Sequence, residues 1–330
     1  GGLASGVTRY LRSEAPQTAF RFVEPKGGTS LAAALAAHEP VTLKRVDTFV
    51  DGAAVARIGD RTFAALSWVN PDERLAAKSF DAYVKEGVIA ALDAIEQQTG
   101  EKEVNAAGYC LGGTLLATTL AYLAAKRQKR IASATFFTTM TDFTEPGELG
   151  VFIDEGQISS LEKKMFERGY LEGSEMAGTF SMLRSNDLIW SFVVSNYLMG
   201  KDPFPFDLLY WNSDSTRMPA AMHSFYLRTR YMENRLVEPG GIEIDGTPID
   251  LTKIKVPCYF ISAIEDHIAP WKSTYMGARR FTAPVRFVLG GSGHIAGIVN
   301  PPAANKYCYW TSDKLAKTSD EWLEKATQTA

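Results

Sequence analysis

Three residues far apart in the chain, Cys110, Asp266 and His294, have the types and the order for nucleophilic acyl chemistry. Cys110 lies in Gly108-Tyr109-Cys110-Leu111-Gly112-Gly113, a G-x-C-x-G turn that follows an apolar strand pattern and precedes a helical one. In such a turn the nucleophile sits on a strained strand-to-helix bend, and glycines flank it because a Cβ would collide with the neighbouring backbone. The bend aims the side chain at a helix N-terminus, where unpaired N–H groups and the helix dipole favour an anion. A thiolate is favoured by that field. The backbone N–H of Leu111 is the expected oxyanion donor. The bland alternative is a buried structural cysteine in a glycine-bounded turn.

A nucleophile on this bend needs an acid after a later strand and then a histidine, in that chain order. The chain holds four histidines, His38, His223, His267 and His294. His294 ends the glycine-rich run Gly290-Gly291-Ser292-Gly293, just past an apolar strand pattern at 285–289, where α/β sheets place functional groups. Asp266 follows the strand pattern at 256–262 and would fix the imidazole tautomer whose free nitrogen takes the thiol proton. Glu265 and Asp142 are the rival acids. His267, beside the expected acid, either assists a proton transfer or makes a structural hydrogen bond. Cys258, within a strand, and Cys308, in Tyr307-Cys308-Tyr309-Trp310, read as packing residues.

Bulk properties narrow the classes. The 330 residues are 45% hydrophobic and 22% charged, ordinary for a globular protein. A net charge of −3 argues against a nucleic-acid binder. No apolar run approaches the roughly 20 residues that cross a bilayer. Gly1-Gly2-Leu3-Ala4-Ser5-Gly6 shows no signal-peptide pattern and no initiating Met, as expected of a fragment or a processed product. Three widely spread cysteines suit neither a disulfide framework nor a zinc site, so no metal is expected. No phosphate-cradling glycine motif opens a first βα unit, which argues against a nucleotide cofactor.

The elements that must position these residues alternate. A strand pattern at 62–68 ends at the turn Asn70-Pro71-Asp72; apolar Val84, Val88, Leu92 and Ile95 mark one helix face, stopped by Gly100. A strand at 104–107, a helix at 115–125 and a strand at 132–138 follow, implying a parallel sheet with right-handed crossovers. The interval 147–238 changes character, being helical in pattern and dense in aromatics and Met (Phe180, Met182, Trp190, Phe192, Tyr197, Phe204, Phe206, Tyr210, Trp211), with loops at Pro203 and Pro205. Asp245-Gly246 suggests a small hairpin before the sheet resumes. The elbow and this layout predict an α/β-hydrolase fold with a mainly parallel sheet: a core of 61–146 and 239–330, a mostly helical cap insertion at 147–238, and a divergent N-terminal region at 1–60.

Several stretches together resemble the class I polyhydroxyalkanoate synthases. They are Gly108–Thr114, Glu265-Asp266-His267-Ile268-Ala269-Pro270-Trp271, and Gly293-His294-Ile295-Ala296-Gly297 with Asn300-Pro301-Pro302. Ser67-Trp68-Val69-Asn70-Pro71-Asp72, Leu183-Arg184-Ser185-Asn186-Asp187-Leu188-Ile189-Trp190 and Asp207-Leu208-Leu209-Tyr210-Trp211-Asn212-Ser213-Asp214 extend the resemblance across about 61–314. It implies an acyltransferase that polymerises (R)-3-hydroxyacyl-CoA, in short-chain members 3-hydroxybutyryl-CoA, into polyhydroxyalkanoate and releases CoA. It implies that Cys110 carries the growing chain as a thioester, that His294 is the base and Asp266 the acid, and that Arg184 affects the substrate route; Arg184 and His267 are the candidate substrate-binding residues. No cofactor is implied, the CoA thioester being the substrate. Homodimers attached to polymer granules in the cytoplasm are also implied. In one respect the chain departs from the family, which carries an apolar strand and a Pro-Pro-Trp-type turn upstream of 62–68 that supply a second oxyanion N–H. Here Glu39-Pro40-Val41-Thr42-Leu43-Lys44 is the one candidate. The alternatives are a cysteine-dependent hydrolase of the same fold, dienelactone-hydrolase-like, and a non-catalytic homologue that binds polymer or a synthase partner.

Overall fold

The computed structural model describes residues 20–23, 50–58, 61–202, 216–300 and 305–329. Strands β1 (Phe20–Val23), β2 (Val50–Ile58) and β3 (Arg61–Trp68) form an antiparallel sheet of their own. This differs from the expectation for 62–68, which placed that strand in the parallel sheet. Only two residues separate β2 from β3, and so short a connection permits antiparallel pairing alone.

The central sheet has the order β13-β12-β11-β10-β5-β4. Its heart is four parallel strands, β4 (Val104–Tyr109), β5 (Ile131–Phe137), β10 (Cys258–Ala263) and β11 (Val285–Gly290). β10, in the interior, has no exposed position, whereas β4, at the edge, alternates exposed and partly buried positions over its first four residues. Two short antiparallel strands that the sequence pattern did not signal, β12 (Tyr309–Thr311) and β13 (Thr327–Thr329), extend the edge beyond β11. The hairpin expected at 242–249 is present as β8 (Glu243–Ile244) and β9 (Thr247–Pro248), with Asp245 (φ 50°) and Gly246 (φ 66°) in the left-handed region its turn requires.

Before β4 runs α1, a continuous helical stretch built from Phe80–Ala82, Tyr83–Ile89 and Ala90–Thr99. Gly100 ends it at φ 77°, its N–H bonded to the Glu96 carbonyl. Helix α2 (Leu111–Ala125) starts immediately after Cys110 and packs on β4 and β5. It is buried nearly all round, so its hydroxyls need partners inside the protein. Thr114 donates to the Met140 carbonyl, Thr118 to Thr114 and Thr119 to Leu115. Aromatic rings fill the space beneath the sheet: Phe136 stacks on Phe260 at 4.4 Å, while Tyr275 and Trp322 meet Phe287 edge-on. These last come from α6 (Trp271–Ala278) and α7 (Ser319–Lys325).

Between β5 and β10 the chain is mostly helical, with α3 (Glu155–Arg168), α4 (Gly173–Leu183) and α5 (Ala220–Tyr226, extended by Leu227–Met232). A two-residue ladder, β6 (Tyr170–Leu171) with β7 (Met218–Pro219), ties the start of α4 to the start of α5. Arg228 on α5 clasps Glu155 and Glu162 on α3 at 2.9 and 2.7 Å. The inner face of α5 belongs to the main core, where Met222 and Tyr226 are buried. Apolar side chains on 182–199 instead face outward, among them Trp190, Leu198 and Tyr197, the last 84% exposed. Pro203, Phe204, Pro205, Phe206, Tyr210 and Trp211 lie outside the described residues. Among the described residues no helix is long and apolar enough to cross a membrane.

Two buried groups on α5 make the fold's energetics testable. Arg230 is 0% exposed; Nη2 donates to Thr118 at 3.3 Å, Nε and Nη1 have no partner among the described residues, and the rings of Phe80 and Phe225 flank it. Burial pulls its pKa down to about 10. A buried charge without a counter-charge is destabilising, so Arg230→Met should raise stability by about 1–4 kcal/mol in urea unfolding. A lower midpoint would refute that account. His223 is also buried, its Nδ1 against the Met218 sulfur at 3.0 Å, and burial pulls its pKa from 6.5 to about 4. The unfolded chain therefore takes up this proton at higher pH than the folded one. Its contribution is complete above pH 6.5 and is lost as pH falls through 4, on the order of 3 kcal/mol in all. Thermal melts of His223→Phe should show a shallower loss of Tm than wild type across this acid range.

Candidate active site

Gly108 and Gly113 allow the bend that carries Cys110. A Cβ on Gly108 would lie 2.6 Å from the Gly113 Cα and 2.7 Å from the Gly112 carbonyl oxygen, so strand and helix can approach only without it. Cys110 itself takes φ 50° and ψ −119°, a conformation rare for a residue with a side chain. It is locked by its N–H to the Phe137 carbonyl at 2.9 Å, while its own carbonyl accepts from Gly113 at 2.9 Å and Thr114 at 3.2 Å. The side chain is half-buried. Leu111 opens α2, so its N–H is one that no helix carbonyl can reach.

The structure brings Asp266 and His294 to this bend. Asp266 is buried on the turn after β10; its Oδ1 accepts from the N–H groups of Ile268 and Ala269 at 2.9 and 2.8 Å. Its Oδ2 lies 2.7 Å from Nδ1 of His294. An ionised carboxylate only accepts, so Nδ1 carries the proton and Nε2 is left for the sulfur. The Cys110 thiol lies within electrostatic reach of the imidazole. Burial pulls the imidazole pKa down, but the hydrogen bond with Asp266 and the neighbouring Cys110 outweigh it, lifting the pKa to about 10. The surroundings thus favour the protonated ring once it has taken a proton.

The loop that carries His294 is fixed backbone to backbone. Glu265 N–H donates to the Ser292 carbonyl at 3.0 Å, Gly291 N–H to Cys308 at 2.8 Å, and Gly297 N–H to Gly293 at 2.9 Å. A Cβ on Gly297 would lie 2.7 Å from both the Ala263 Cβ and the Gly291 carbonyl oxygen. A contact with no motif behind it joins the two halves of the site: the Tyr109 hydroxyl donates to the His294 main-chain carbonyl at 2.5 Å. Its one sequence cue is adjacency to Cys110.

The rival acids are placed elsewhere. Asp142 accepts from Arg280 Nη2 at 2.8 Å and from Thr144 and Asn234, bonds that hold it ionised against the upward push of burial. Glu265 is exposed and only its main chain joins the histidine loop. His267 is half-buried beside Asp266 with no partner for Nε2; burial and then the Arg184 charge lower its pKa. Arg184 is paired with Asp187 and lies within electrostatic reach of His267, Glu148 and Glu265, on the rim of the site. Cys258 is buried, its thiol on the Val256 carbonyl at 3.2 Å and its pKa pushed up to about 12 by burial. His38, residues 301–302 and the stretch 39–44 lie outside the described residues. Among the described residues no cluster of His, Cys, Asp and Glu could hold a metal ion.

Gly108→Ala tests the bend. Its Cβ meets backbone, which cannot swing aside, so we expect a loss of about 1–3 kcal/mol in chemical unfolding. Alkylation of Cys110 by iodoacetamide should slow in the same variant. An unchanged unfolding midpoint would remove the reason given for the glycine.

A family model for the alpha/beta hydrolase fold matches residues 60–301. Among curated proteins, the chain is 57% identical over 270 residues to a poly(3-hydroxyalkanoate) polymerase subunit PhaC of Rhizobium meliloti, covering 82% of this chain and 44% of that protein. It is 53% identical over 268 residues to a poly(3-hydroxyalkanoate) polymerase of Methylorubrum extorquens, covering 81% and 44%. With the PhaC of Cupriavidus necator the identity is 43% over 272 residues, covering 81% and 46%. The chain thus spans less than half the length of these curated relatives. With the elbow, the mainly parallel sheet and the matched span, the chain belongs to the α/β hydrolase fold family, and its relatives within that family include poly(3-hydroxyalkanoate) polymerases.

Proposed function

We propose that this chain is the catalytic portion of an acyltransferase that polymerises (R)-3-hydroxyacyl-CoA into polyhydroxyalkanoate through a thioester on Cys110. The observation that carries this reading is the Asp266–His294 pair, 2.7 Å between carboxylate and imidazole, with the Cys110 thiol within electrostatic reach of the ring. The names of the relatives support the substrate class.

In the cycle, Asp266 keeps the proton on Nδ1 and stabilises imidazolium, so the sulfur attacks as thiolate. It adds to the thioester carbonyl of the first monomer, and the oxyanion is met by the Leu111 N–H at the helix start. Collapse expels CoA, whose sulfur takes the imidazolium proton. The hydroxyl of the next monomer then gives its proton to neutral Nε2 and attacks the acyl-enzyme carbonyl, releasing the cysteine sulfur and lengthening the chain. Arg184 and His267, on the rim, are proposed to contact the polar part of the incoming thioester. The interval 147–238 is proposed as a cap, and its outward apolar side chains Trp190, Phe192, Tyr197 and Leu198 suit an apolar polymer at a granule surface in the cytoplasm. A homodimer is proposed on the resemblance alone.

Incubation with 3-hydroxybutyryl-CoA tests the reading. Polymer together with free CoA is the expected result, and Cys110→Ala should abolish both. Free 3-hydroxybutyrate in place of polymer would instead support a cysteine hydrolase. Polymer binding that survives Cys110→Ala, with no CoA released by the wild type, would support a non-catalytic binder.

A further inference from the structure

We propose that Tyr109 is a positioning residue for His294: its phenol, one residue before the nucleophile, grips the main chain of the base and so sets the gap between sulfur and imidazole. The inference rests on the Cys110–His294 relay described above and adds a part to it.

The geometry converges on the phenol. Its hydroxyl donates to the His294 carbonyl at 2.5 Å, and the two rings meet edge to face, centroids 5.6 Å apart at 78°. The other side of the phenol ring rests against Phe137, 5.9 Å away, whose carbonyl also receives the Cys110 N–H. Next in β5's path is Thr138, fully buried at φ 42°, a conformation a β-branched residue adopts only where surroundings impose it. Its hydroxyl lies near the Tyr109 phenol but has no hydrogen-bond partner among the described residues. Burial first, and then the negative charges of Asp266 and Cys110, push the phenol pKa up to about 12, against the opposing Thr138 hydroxyl. The phenol is thus a protonated donor throughout the range in which an enzyme works.

The mechanical consequence follows from chain connectivity. Cys110 and Tyr109 share a peptide bond, so any displacement of the bend moves the phenol with it. Because the phenol holds the His294 carbonyl, sulfur and base move together. The other bonds that fix this loop act on Ser292, Gly291 and Gly297, which leaves Tyr109 as the described side chain gripping the His294 main chain directly. A misplacement of about 1 Å between reacting groups costs roughly 100-fold in rate, so one hydroxyl at this point has leverage.

Tyr109→Phe removes that hydroxyl and keeps the ring contacts with Phe137 and His294. With 3-hydroxybutyryl-CoA we expect kcat to fall about 10- to 100-fold with KM within about twofold, the split of a group that acts on the chemical step. We also expect iodoacetamide to alkylate Cys110 about tenfold more slowly near neutral pH. In strong base, where hydroxide takes the thiol proton without help, variant and wild type should converge. A purely structural role would slow alkylation at every pH and lower the Tm, and that outcome overturns the proposal. So does a variant that matches wild type in both assays. If wild type fails to polymerise but its neutral-pH alkylation still depends on Tyr109, the proposed function fails and the positioning role stands. Should Tyr109→Phe not fold, Tyr109→Met, which fills the space without a donor, gives the same readings.

Discussion

A residue with a side chain held in the left-handed region, Cys110 at φ 50°, is the constraint from which the rest of the site follows. Such a conformation is costly and persists only where several contacts over-determine it. Here they are the Phe137 carbonyl on one side, two helix N–H groups on the other, and glycines where any Cβ would meet backbone. Their joint effect is to place a sulfur at the start of a largely buried helix, at the end of an edge strand in the same sheet whose strands β10 and β11 carry the acid and the base. The parallel sheet matters because all its strands deliver their C-terminal ends to one edge. Residues more than a hundred positions apart in the chain therefore meet without any local signal joining them.

The same side-chain chemistry is put to opposite uses by its surroundings. Asp266 and Asp142 are both buried carboxylates close to strand ends. Asp142 is consumed by Arg280, Thr144 and Asn234 and serves to fasten loops, whereas Asp266 keeps one oxygen for an imidazole. His294 and His223 are both buried imidazoles. With a carboxylate and a thiol beside it, His294 is lifted to about 10; with only a thioether for a neighbour, His223 is lowered to about 4. Burial acts in the same direction on both, so the difference lies entirely in their partners.

Much of this was legible from residue order. The glycines at 108, 112 and 113, the glycine run before His294 and the apolar runs of the parallel strands are patterns that physics ties to one geometry, and the elbow, the strands and the small hairpin at 243–248 stand where those patterns put them. Three things were not legible. Strand β3 has an apolar run that fits either sheet, and its pairing was decided by a two-residue connection rather than by hydrophobicity. Strands β12 and β13 are three residues each, too short for periodicity to mark them. The Tyr109 hydrogen bond spans 185 positions, and a tyrosine in that motif slot reads equally well as packing.

The glycine loop at 290–297 has a further implication for how firmly the base is held. Its backbone is packed against β10 with no space for even a methyl group at Gly297, and it contains no bulky side chain between Gly290 and Gly293 that could rotate out of the way. The loop is therefore held through its backbone. The described helices between β5 and β10 are held to one another differently, through the buried apolar side chains Met165, Leu171 and Ala220 and the pairing of Arg228 with Glu155 and Glu162. The imidazole is thus set by main chain that has no rotamers to change, and side-chain rearrangement elsewhere leaves its anchor in place.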